Sequence, residues 1–100
     1  MHVSRRYVIS GRVQGVGFRY FTQDAAVHED VCGWVRNMAD GRVEVEAEGE
    51  TEAVQRFEIR VRCGPPGARV DGVETTDRGV GVVSDPTPAP RRRNTGFAIR

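Results

Sequence analysis

The residues best suited to chemistry fall in one stretch, Gly11-Arg12-Val13-Gln14-Gly15-Val16-Gly17-Phe18-Arg19. Gly15 and Gly17 lie between a predicted strand and a predicted helix, and Arg19 follows within the first helical turn. Glycine admits positive φ and lets the backbone approach a ligand closely. The unpaired N–H groups and positive dipole end of a helix N-terminus favour an anion. Arg19 adds a planar fork of charged donors suited to phosphate. The chemistry this allows is a small cradle for one oxyanion.

Better-known templates do not fit. The dinucleotide pattern wants a further small residue three places after Gly17, where Tyr20 stands, and a P-loop wants a lysine, which the chain lacks altogether. Ser4, Ser10 and Ser84 have no His or Lys at a recognisable spacing, and the two histidines and scattered carboxylates fit no metal-ligand pattern. An enzyme built on this cradle would work by placing a water and stabilising charge. Asn37 is the polar residue that stands out, two positions after Val35 where strand parity would place a packing residue. One reading makes it the early start of a turn. The other makes it an amide that orients a water without changing ionisation state.

Elements must position these groups. Residues 3–13 read as a strand with Tyr7, Ile9 and Val13 on one face, Ser4, Arg6, Ser10 and Arg12 opposite, and Val8 breaking the alternation. Residues 20–31 read as a helix whose buried face carries Phe18, Phe21, Ala25 and Ala26, with Asp24, Glu29 and Asp30 in water and His28 as a surface or capping residue. A second strand, 31–39, leads into Asp40-Gly41, a two-residue hairpin signal, and then into a third with Val43, Val45 and Ala47 on one face and Glu44, Glu46 and Glu48 in water. Thr51 caps a second helix with a Val54, Phe57, Val61 stripe, which Cys63-Gly64-Pro65-Pro66-Gly67 ends. Residues 68–76 form a fourth strand with Val70 and Val73. Residues 77–94 read as a Gly- and Pro-rich loop, in which Val80, Val82 and Val83 could extend that strand, and Phe97-Ala98-Ile99 makes a short edge strand. The order β-α-β-β-α-β with a short fifth strand predicts one α+β domain over residues 1–100, an antiparallel sheet with both helices on one face.

Composition bounds the rest. One hundred residues with net charge +1 imply one modest core and no polyanion-binding surface; Arg91-Arg92-Arg93 is the only basic cluster and reads as a solvated loop. The first six residues lack the apolar core of a signal peptide and no stretch reaches membrane-spanning length, so a cytoplasmic location is expected. Cys32 and Cys63 are isolated and read as buried, inert thiols, with a disulfide between them left open. The chain has no Leu, so its core is led by Val, which favours strands.

Three segments carry a resemblance. The stretch from Gly11 to Arg19, then Gly33-Trp34-Val35-Arg36-Asn37 and Asp40-Gly41-Arg42-Val43-Glu44, closely resembles the acylphosphatase family. The likeness continues through Gly64-Pro65-Pro66-Gly67-Ala68-Arg69-Val70 and ends weakly at Gly96-Phe97-Ala98-Ile99-Arg100. It implies a ferredoxin-like α/β sandwich that hydrolyses small acyl phosphates to a carboxylate and inorganic phosphate, without metal or cofactor. By the same resemblance Arg19 binds the phosphoryl group together with the backbone of Gln14, Gly15, Val16, Gly17 and Phe18, and Asn37 holds the attacking water. Two features depart from the family pattern, the long Pro- and Arg-rich segment 77–94 and the polar helix end His28-Glu29-Asp30-Val31.

Other readings have their discriminators. A phosphate-binding module on the same fold would bind without hydrolysis. An acylphosphatase-like domain of a larger carbamoyl-transfer protein is set aside on the expectation that a chain ending at Arg100 stands alone. An RNA-recognition domain shares the element order but needs exposed aromatics where Glu44, Glu46 and Glu48 would repel phosphate. A monomer that acts on a small molecule, without nucleic acid or membrane, is expected.

Overall fold

The computed structural model describes residues 1–80 and 96–100. Seven elements follow the expected order: β1 (His2–Arg12), α1 (Phe18–Glu29), β2 (Cys32–Asn37), β3 (Val43–Glu50), α2 (Thr51–Cys63), β4 (Arg69–Val80) and β5 (Phe97–Ile99). They build one five-stranded sheet in the order β4-β1-β3-β2-β5. β1 pairs antiparallel with both β3 and β4, and β2 pairs antiparallel with β3. β5 joins β2 in parallel, so the sheet is mixed at that edge. Its register is held by Gly33 N–H donating to the Gly96 carbonyl and Arg100 N–H donating to that of Val35, both at 2.9 Å. The Gln23 side chain, on α1, donates to the Phe97 carbonyl at 3.1 Å and ties the helix to this edge.

Strand alternation puts Tyr7, Ile9, Val35, Val43 and Val45 on one face, where they meet Phe18, Ala25 and Ala26 of α1 and Val54, Phe57 and Val61 of α2 in a single buried core. Phe57 packs between Tyr7 and Phe97, at ring-centroid distances of 6.4 and 5.8 Å. The Tyr7 hydroxyl donates to Glu58 at 3.1 Å. Burial first, then the Glu58 charge, raises the phenol above its ordinary range, so it stays a donor.

Several expectations are corrected. α1 begins at Phe18 rather than residue 20 and ends at Glu29. Thr22 rather than Phe21 completes its fully buried face, its hydroxyl satisfied by the Phe18 carbonyl one turn back at 2.8 Å. Glu29 is not in water: it is 11% exposed and accepts from Arg56 of α2 at 2.7 Å, with Arg60 at 3.8 Å. The polar end of α1 thus joins the helices. The Asp40-Gly41 turn is a three-residue loop rather than a two-residue one. Met38 N–H donates to the Arg42 carbonyl, Gly41 N–H donates back to that of Met38, and Gly41 takes the φ of 100° that such a loop requires.

Thr51 is the first residue of α2 rather than its cap, and its hydroxyl donates to the Met1 carbonyl. β4 runs on to Val80, because β1 continues to pair with it through a bulge and Arg5 holds Asp77 at 3.0 Å. The rest of the expected loop, with Val82, Val83 and the arginine triplet, lies outside the described residues. Glu44 is also buried, with its side chain 8% exposed, because Arg6 and Arg36 reach it from β1 and β2 at 2.6 Å each. Cys32 is half-buried and Cys63 exposed, so neither is a core thiol, and no disulfide joins them. Among the described residues no helix is long and apolar enough to cross a membrane.

Candidate functional site

β1 and β2 each run antiparallel to β3, which lies between them, so they run parallel to each other. The loop that leaves β1 and the last residue of β2 therefore reach the same end of the sheet. Gly15 and Gly17 take φ of 78° and 80°, left-handed values that a side chain would strain, and Gly17 caps α1 without any side-chain hydrogen bond. The first bond of the helix runs from Phe21 N–H to the Gly17 carbonyl at 3.0 Å. Among the described residues, the backbone N–H groups from Gly15 to Tyr20 have no protein partner. A row of unpaired donors at a helix N-terminus has the geometry and dipole that suit an anion.

A cavity of about 80 Å³ opens at this point, lined by Val13, Gly15, Gly17, Phe18, Arg19, Tyr20 and Asn37. Arg19 and Asn37, eighteen positions apart in the chain, thus share one wall-to-wall space. Arg19 forms no ion pair with a carboxylate side chain among the described residues, and its one protein hydrogen bond is a long, exposed contact of 3.5 Å to the Arg100 carbonyl. Asn37 stays in β2, paired through its backbone with Val43, and the turn starts one residue later at Met38. Its side-chain amide has no protein partner among the described residues, which leaves its donors and acceptor for a water or ligand.

The side chains of the remaining loop candidates serve the fold. Gln14 does not line the cavity with its side chain; its amide donates to the carbonyls of Met38 at 2.8 Å and Arg42 at 3.0 Å. Val16 packs against the core and touches Gly67, and Phe18 turns its ring into the core beside Gly64. Tyr20 joins the lining although its sequence position marks only the start of a helix; an exposed aromatic in the first turn after the glycine loop is the signal that could have found it.

A larger open groove of about 720 Å³ lies at the other end of the helices, bordered by Glu29, Asp30, Glu50 and Glu52. Two of these four carboxylates are already paired, Glu29 with Arg56 and Glu50 with the Met1 ammonium, and the remainder leave the groove net acidic and poorly suited to a phosphoryl group. Among the described residues no three His, Cys, Asp or Glu side chains gather to hold a metal ion.

A family model for acylphosphatases matches residues 5–82. An acylphosphatase of Koribacter versatilis (strain Ellin345) is 51% identical over 74 residues, covering 74% of this chain and 67% of the relative. One of Bacillus subtilis (strain 168) is 47% identical over 72 residues, covering 72% and 79%. Among solved structures, an acylphosphatase from Bacillus subtilis superposes with a TM-score of 0.79 at 39% identity over 98% of each chain. One from Coxiella burnetii gives 0.80 at 29% identity, covering 99% of this chain and 93% of that one. The chain belongs to the acylphosphatase family and is a hydrolase of that family.

Proposed function

We propose that the chain hydrolyses the carboxyl–phosphate anhydride bond of small acyl phosphates, with Arg19 and the loop N–H groups holding the phosphoryl group and Asn37 holding the water. The observation that carries this is one cavity in which, among the described residues, a strand-end amide without a protein partner, a guanidinium without a carboxylate side chain and a row of unpaired N–H groups converge. The phosphoryl oxygens accept from Arg19 and from the backbone of Gln14, Gly15, Val16, Gly17 and Phe18. The water oxygen attacks phosphorus in line, and the bond from phosphorus to the acyl oxygen breaks with its electron pair on the departing carboxylate.

That leaving group needs no proton, and the loose transition state of such a transfer is stabilised by fixed positive charge and donors. The proton released by the water passes to a phosphoryl oxygen, so no side-chain base is required. We further infer that the enzyme works without a metal or cofactor, as a cytoplasmic monomer. No nucleic-acid partner is proposed, since the sheet face that an RNA would need carries Glu44, Glu46 and Glu48, the first two paired with arginines. No membrane partner is proposed.

The test is hydrolysis of benzoyl phosphate with EDTA present, for wild type and Asn37→Ala. The expected result is metal-independent turnover that falls about 10²-fold or more in the variant, the scale of a misplaced reactant, while inorganic phosphate still inhibits. A folded wild type that binds phosphate and hydrolyses no acyl phosphate would overturn the reading in favour of a binding module.

A further inference from the structure

We propose that Tyr20 is the specificity-determining contact for the acyl group and biases the enzyme toward aromatic acyl phosphates over small aliphatic ones. This rests on the hydrolytic reading above. An acyl phosphate has two ends, and a cavity of about 80 Å³ walled by N–H groups and a guanidinium has room for the phosphoryl end alone. The acyl end must then leave across the rim.

Elimination among the seven lining residues leaves one apolar surface to meet it. Val13 is 1% exposed and Phe18 2%, so both are committed to the core. Gly15 and Gly17 have no side chain, and Arg19 and Asn37 offer polar groups to the reacting end. Tyr20 is 69% exposed, and it has no hydrogen bond or ring contact among the described residues.

Helix geometry aims it suitably. Tyr20 is the third residue of α1, and Cα–Cβ bonds in a helix tilt toward the N-terminus, so its side chain leans over the turn before it. That turn is the glycine loop. A phenol ring there offers a flat apolar face with a polar rim, well matched to a benzoyl ring and too large to gain much from a methyl group.

The experiment compares kcat/KM for benzoyl phosphate and acetyl phosphate in wild type, Tyr20→Ala and Tyr20→Phe. Expected is a fall of about 3- to 10-fold in the benzoyl-to-acetyl ratio for Tyr20→Ala, the scale of one aromatic pair at an open site. The fall should appear mainly in KM, with inhibition by inorganic phosphate retained, and Tyr20→Phe should restore the ratio. An active Tyr20→Ala enzyme with the wild-type ratio overturns this inference alone. A folded wild type inert toward both substrates overturns the hydrolytic reading, and this inference falls with it.

Discussion

The Gln14 side chain donates to the Met38 carbonyl at 2.8 Å, and Met38 is the residue directly after Asn37. The same amide nitrogen reaches the Arg42 carbonyl at 3.0 Å, across the mouth of the β2–β3 hairpin. The donor loop and the strand end that carries Asn37 are therefore joined by one side chain rather than merely adjacent. On the proposed mechanism, this link would set the separation between the loop that holds the phosphoryl group and the amide that holds the water.

Gln14→Ala should accordingly reduce kcat on benzoyl phosphate by about 10-fold while changing KM little, because the water and the phosphoryl group lose their fixed separation. Gln14→Glu should share the defect, since a carboxylate cannot donate. Stability should fall by only about 0.5–1.5 kcal/mol, because Met38 still accepts from Gly41 N–H and Arg42 from Met38 N–H. Steady-state kinetics beside urea unfolding separates the two effects; a kcat equal to wild type in both variants would show that the link does not position Asn37.

Arg19 has little to do in the folded core, since its one hydrogen bond among the described residues is long and exposed. Arg19→Ala should leave stability within about 0.5 kcal/mol yet lower kcat/KM by about 10²–10³-fold or more, and it should weaken inhibition by inorganic phosphate. Arg19→Lys should recover little of this, because an ammonium keeps the charge but not the bidentate fork. Inhibition titrations with phosphate check both variants.

Glu44, on the opposite sheet face, should make part of the stability sensitive to acid. Burial alone would raise its pKa, but hydrogen bonds from Arg6 and Arg36, reinforced by their charges, outweigh burial and lower it below its ordinary value of 4.5. A carboxyl whose folded pKa is depressed stabilises the fold above its unfolded pKa, and the contribution is lost as pH falls through the folded value. Glu44→Gln should therefore destabilise by about 1.5–3 kcal/mol at pH 7, and the difference from wild type should shrink as pH drops below about 4.5. Urea unfolding at pH 7 and at pH 3 measures this; an equal difference at both would place the stabilisation elsewhere.

The sequence by itself determined what acts over a few residues. The element order, the Val54, Phe57, Val61 stripe and the glycine loop running into a helix that carries Arg19 all follow from periodicity, capping and the backbone freedom of glycine. Parity also gave the Asn37 position to packing, but the residues alone left both a turn-starting residue and a water-holding amide open, with the turn slightly favoured. Only the tertiary structure showed that Asn37 remains in β2 and, because the interposed β3 brings the ends of β1 and β2 to one side, that it lines the same cavity as Arg19.

The same limit explains the corrections. Nothing near Gln14 in the chain announces that its amide will meet carbonyls 24 and 28 positions away. Alternation puts Glu44 in water, and two arginines from neighbouring strands bury it. The polar end of α1 reads as solvated until α2 brings Arg56 to Glu29. Short-range propensity encodes which elements form, whereas the partner of a long polar side chain depends on strand register and helix placement, which exist only once the whole core has closed.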